Sequence, residues 1–159
     1  MTTYRVNRTC TLRIAEEAMR VFDAYRSKRR KTEAGGVLLG RVYESEIVIE
    51  VATPPSAADR AGAFFFDRST RVSQEHVNQA WSASGGEQIY LGEWHSHPAE
   101  VAEPSGRDRA MILNNLRDAK MEIDFLFLIV IGWMVDWVGI GGKRGSLRQL
   151  LPIRITGNE

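Results

Sequence analysis

Five side chains in this 159-residue chain have types and a spacing suited to metal-assisted hydrolysis. They are Glu33, His95, His97, Ser105 and Asp108. His95-Ser96-His97-Pro98 places two histidines one residue apart. Side chains on a strand alternate with period two, so the pair faces one way and can chelate a single metal ion. Asp108 adds an oxygen donor. Three protein ligands leave a fourth tetrahedral position for water, and an open position distinguishes a catalytic zinc site from a structural one.

Each fragment also has a plainer explanation. A His-x-His pair alone fits a polar strand face as well as a metal site. Ser105 and Asp108 read as a helix N-cap and its acidic partner three residues on, a capping box. Glu33, by position alone, is an exposed acid at a helix-to-strand junction. What points to a metal is the conjunction of a same-face histidine pair, a strand-ending proline, a short polar loop, and then Ser105 and Asp108 at a helix mouth.

The runs Glu33-Ala34-Gly35-Gly36-Val37-Leu38-Leu39-Gly40, Gly92-Glu93-Trp94-His95-Ser96-His97-Pro98 and Pro104-Ser105-Gly106-Arg107-Asp108 resemble the JAMM (MPN+) metallopeptidases, also called the JAB or Mov34 family. The resemblance covers nearly the whole chain. It implies one zinc per chain held by His95, His97 and Asp108, with Glu33 as general acid/base and Ser105 steadying the tetrahedral intermediate. The chemistry agrees. Zinc lowers the pKa of bound water from about 16 towards about 7, within reach of a neighbouring carboxylate.

The resemblance further implies an α+β, three-layer α-β-α fold of the JAMM and cytidine-deaminase type, with a curved, mainly antiparallel mixed sheet flanked by helices. The implied activity is cleavage of the isopeptide or peptide bond after the C-terminal residue of a ubiquitin-like modifier. The chain looks like the short bacterial branch found in antiphage operons such as CBASS. That branch implies a ubiquitin-like protein or a CD-NTase-type C-terminal tail and its conjugates as partners, with E1-like and E2-like operon proteins. Two alternatives are a hydrolase processing a small sulfur-carrier protein and a non-catalytic MPN scaffold. Scaffolds of that kind usually lack one or more of the ligands present here.

A narrow groove between the Trp94 region and the 54–63 loop is expected to favour glycine before the scissile bond. An exposed strand at 64–66, or the region after Pro98, is the expected platform for pairing with an extended tail.

Composition fits one catalytic domain over residues 1–159, with 43% hydrophobic content. Lys+Arg of 21 against Asp+Glu of 20 gives a net charge of +1, which argues against a nucleic-acid partner. A single cysteine, Cys10, excludes an intrachain disulfide and a cysteine-based zinc site. With no signal peptide and no spanning segment expected, the location implied is cytoplasmic. The basic run 26–31 reads as a solvated helix end, with partner docking as the second reading. The glycine-rich 139–145 segment lacks phosphate-loop spacing and reads as a hairpin turn.

Periodicity supplies the elements that must position these side chains. It predicts a first helix over 12–30 and a hairpin of strands 37–42 and 47–52. A loop over 54–63 and a short strand at 64–66 precede a second helix over 67–84. A central strand over 88–97 carries both histidines, and a third helix over 106–118 holds Asp108 in its first turn. Late strands follow at 125–131 and 134–140, with Trp133 and Trp137 sharing a face, and a final edge element at 147–155.

Overall fold

The computed structural model describes residues 2–118 and 123–154. The chain begins with β1 (Thr2–Arg5) and β2 (Thr11–Ile14), then α1 (Glu16–Tyr25). The hairpin β3 (Gly35–Val42) and β4 (Glu46–Ala52) leads to two short strands, β5 (Arg60–Ala61) and β6 (Phe66–Asp67). After α2 (Thr70–Ala83) come β7 (Ile89–Ser96), α3 (Gly106–Asp118), β8 (Phe125–Ile131), β9 (Trp137–Gly142), β10 (Leu147–Gln149) and β11 (Leu151–Pro152).

The main sheet runs β10-β9-β8-β7-β3-β4-β2-β1-β11. β2–β4 and β7–β8 pair in parallel and the other neighbours antiparallel, so the expected mixed, mainly antiparallel sheet flanked by helices is present. Only Leu150 separates β10 from β11, yet they end opposite edges of the strand order. The sheet therefore curls until its edges meet at one segment. Leu150 N donates to Val138 O at 2.8 Å, and Arg148 Nη2 to Val6 O at 2.8 Å.

Alternation along β8 divides the core. Phe127, Ile129 and Ile131 join Ala18 and Phe22 of α1 on one face, while Leu126, Leu128 and Val130 join Ile112 and Leu116 of α3 on the other. A continuous apolar strand suits a sheet covered on both sides.

The first helix is shorter than its periodicity suggests. Thr11–Ile14 instead pairs with β1 and β4, and Ala15 N donates to Ile49 O at 2.9 Å. Two strand partners outweigh the local helical pattern. The helix ends at Tyr25 with Arg26 in extended conformation, so the run 26–31 is no helix end. Arg26 crosses to the β8–β9 loop, where Nη1 donates to Gly132 O at 2.7 Å and Nη2 to Asp136 Oδ2 at 2.9 Å.

Three further expectations shift. The short strand is Phe66–Asp67, and Phe64 is 89% exposed. β9 starts at Trp137, leaving Trp133 in the preceding loop rather than on a shared face. The final element divides into β10 and β11, and residue 155 lies outside the described residues.

A bulge in β7 sets which way the histidines point. The β3–β7 register slips so that Gly92 faces Leu38 and Tyr90 faces Leu39. Strict alternation from Leu91 would send Glu93 and His95 toward α1. Instead Leu91 and Trp94 both enter the α1-side core, and the histidine turns to the α3 side. Gly92 has φ +147°, and a Cβ there would lie 1.9 Å from Phe127 O. Gly92→Ala should therefore cost about 1–3 kcal/mol from backbone strain alone. The steric clash adds to that loss, which a lowered urea midpoint would register.

Candidate metal centre

Three elements deliver the side chains. Glu33 precedes β3, His95 lies near the end of β7, His97 stands just beyond it, and Asp108 occupies the first turn of α3. His95 Nδ1 is 3.0 Å from Asp108 Oδ1, and His97 Nε2 is 3.0 Å from Asp108 Oδ2. His97 Nε2 is 3.7 Å from Glu33 Oε1. Glu33, His95 and His97 present ligand atoms that all lie within 4.8 Å of one another. Glu33, His95 and Asp108 are buried, and His97 nearly so.

The local sequence explains the placement. Ser105 Oγ accepts from Asp108 N at 3.1 Å, and Asp108 Oδ2 accepts from Ser105 N at 2.9 Å. This reciprocal capping box opens α3. The structural explanation of the Ser-x-x-Asp pair is thus real, and it aims the other carboxylate oxygen at His95. Ser105 itself is exposed at the mouth of the site.

On the far side Ser96 faces away from its histidine neighbours. Its Oγ accepts from Ala34 N at 2.8 Å, and its own amide donates to Ala34 O at 2.8 Å. The residue between the histidines thereby pins the one beside Glu33. His97 N donates to Ile131 O at 2.9 Å, continuing the parallel pairing past the strand end. Ser96 was not among the sequence candidates, although its place between two ligand-type residues assigns it to the opposite strand face.

Gly35 and Gly36 admit close neighbours, as a tight site requires. Those neighbours are protein: a Cβ on Gly35 would lie 2.5 Å from Trp94 O, and one on Gly36 2.2 Å from Thr53 O. Trp94 departs from expectation. It is fully buried against Phe22 and Tyr25, with Nε1 donating to Thr53 O at 2.9 Å, so it borders no groove. The region after Pro98 is no free strand either. Ala99 O accepts from Trp133 N, Glu100 O from Met134 N, and Ala102 N donates to Val135 O.

Electrostatics separate the two carboxylates. Burial raises the Glu33 carboxyl above its ordinary value, partly offset by His97 and His95. Burial acts the same way on Asp108, but contacts with His95 and His97 and the Ser105 amide hold it well below the usual carboxylate range. Burial lowers His97, yet the Asp108 and Glu33 carboxylates outweigh it and leave the imidazole raised.

The donor set fits a zinc-sized ion. Zinc donors lie ~2.0–2.1 Å from the metal, so two at a tetrahedral angle are about 3.3 Å apart. The 3.0 Å separations of Asp108 from His95 Nδ1 and His97 Nε2 lie close to that distance. His97 Nε2 is moreover buried without a hydrogen-bond partner despite its closeness to Asp108.

A family model described as prokaryotic homologs of the JAB domain matches residues 15–143. The chain belongs to that family. Among curated relatives, a "CD-NTase/cGAS isopeptidase" of Pseudomonas aeruginosa is 42% identical over 78 residues, 49% of each chain, so the match spans about half that relative's length. One of the same name from Vibrio cholerae is 31% identical over 117 residues, 73% of this chain and 72% of that one. A "probable metalloprotease y4qB" of Sinorhizobium fredii is 28% identical over 133 residues, 76% of this JAB domain chain and 79% of that protein. The solution structure of protein DSY2949 from Desulfitobacterium hafniense superposes with a TM-score of 0.61 at 21% identity, covering 87% and 88% of the two chains. That likeness shows the fold. Among the described residues no helix is long and apolar enough to cross a membrane.

Proposed function

We propose that this JAB domain is a zinc-dependent isopeptidase. It hydrolyses the bond joining the C-terminal tail of a CD-NTase-type protein or ubiquitin-like modifier to another protein, in a bacterial antiphage conjugation system. The observation that supports the reading is the grouping of Glu33, His95 and His97, whose ligand atoms lie within 4.8 Å of one another, with Asp108 3.0 Å from each imidazole. The names of the Pseudomonas and Vibrio relatives support the substrate class. A non-catalytic scaffold is disfavoured because all five motif residues are present in the sequence.

His95, His97 and Asp108 would hold the metal. When bound, zinc supplies a Lewis acid and lowers the pKa of its water. Asp108 is the better third donor, since it is 3.0 Å from each imidazole and its low proton affinity keeps it an anion. Glu33, whose burial raises its proton affinity, accepts the proton of the attacking water and passes it to the leaving amine. The Ser105 hydroxyl, exposed at the helix mouth, donates to the developing oxyanion. The β5–β6 hairpin beside the site is the remaining platform for an extended tail.

A fusion of a CD-NTase-type C-terminal tail ending in glycine to a reporter protein tests the reading. The expected result is release of the intact reporter, abolished by a zinc chelator and restored by zinc. Cleavage unaffected by the chelator, or no cleavage of tails from either modifier class, would overturn it.

A further inference from the structure

The excursion joining β4 to α2 touches every element that carries a site residue. Gly62 O accepts from Glu33 N at 2.7 Å. Phe66 lies edge-on to His95, with ring centroids 5.4 Å apart. It occupies space left by Gly35, the register partner of His95, where a Cβ would come within 2.7 Å of the Phe66 ring. Asp67 receives Arg107 Nη2 at 2.8 Å on both oxygens, in the first turn of α3 next to Asp108.

The Asp67–Arg107 pair is exposed and so holds weakly. The buried anchor is Arg68. Its Nε donates to Glu93 Oε1 at 2.8 Å and Oε2 at 2.9 Å, and the Glu93 side chain is 1% exposed. Tyr90 Oη and Asn115 Nδ2 also donate to Glu93 Oε1, at 2.6 and 3.2 Å. A buried ion pair is weak evidence for stability, because an apolar pair of similar volume often serves as well. An open cleft of about 190 Å³ lies beside this network, lined by Phe66, Arg68, Glu93 and His95 among others.

We propose that the Arg68–Glu93 pair is a positioning clamp that presses Phe66 against His95 and fixes the orientation of its imidazole. The inference rests on reading the site as a metal centre. Outer partners that orient a metal ligand are typically worth about 10- to 100-fold in metal affinity.

The test is the double variant Arg68→Met/Glu93→Gln, which strands no buried charge and keeps an acceptor for Tyr90 and Asn115. Zinc affinity by chelator competition should fall about 10- to 100-fold, with Arg68→Lys in between. In metal-free protein, the ring-current shift that Phe66 imposes on the His95 ring protons should shrink in the NMR spectrum. Phe66→Ala should reproduce the weakening, and the double variant in that background should add little more. Wild-type affinity and an unchanged His95 shift in the double variant would overturn the clamp, as would full additivity with Phe66→Ala. If the double variant fails to fold, Arg68→Lys decides through the same two readouts. A wild type that binds no zinc, yet whose His95 shift depends on Arg68, would refute the metal reading and leave the clamp standing.

Discussion

Glu33→Gln is expected to leave the protein folded and metal-loaded while lowering turnover by about 100- to 10,000-fold, the range for loss of a general acid–base. The replacement is isosteric, and the backbone tie from Glu33 N to Gly62 O does not involve the side chain. An amide cannot accept the proton of the attacking water or return it to the leaving amine. Burial raises the affinity of Glu33 for that proton. Metal content measured beside turnover separates the two roles open to this residue, which presents its carboxylate 3.7 Å from His97 Nε2. Zinc retained with activity lost identifies the base. Zinc and activity lost together would make Glu33 a ligand.

Asp108→Asn should reduce zinc affinity by more than about 100-fold, beyond what loss of an outer partner costs. Asp108 is the one group within 3.0 Å of both imidazoles, and an open catalytic site has no spare donor. Asparagine keeps the oxygen that accepts from Ser105 N, so the capping box survives and the helix stays in place. Removing the acidic half of the capping box as well, with Asp108→Ala, would add about 0.3–1.5 kcal/mol of destabilisation. Metal analysis with thermal unfolding of the two variants distinguishes the donor from the cap. Full zinc occupancy in Asp108→Asn would exclude Asp108 as a ligand.

The candidate site is legible in the sequence because its side chains are placed by short-range rules. Strand alternation directs His95 against Ser96, a capping box orients Asp108, and β8 declares itself as an apolar run buried on both faces. Those features depend on neighbours a few residues away. The 37–42 and 47–52 hairpin and the third helix are legible for the same reason.

What required tertiary structure is everything set by distant partners. Thr11–Ile14 carries a helical pattern and becomes a strand because β1 and β4 flank it. Arg26 looks like the start of a solvated basic run but reaches Asp136, 110 residues away. Trp94 joins Leu91 in the α1-side core, sending His95 to the α3 side, because β7 carries a bulge between Tyr90 and Gly92. The burial of Glu93 is intelligible only once Arg68, Tyr90 and Asn115 close around it. Residue types and local spacing thus determined which side chains form the centre. Only long-range pairing decided which face they share and what holds them there, because a one-residue shift of register reverses every side chain on a strand.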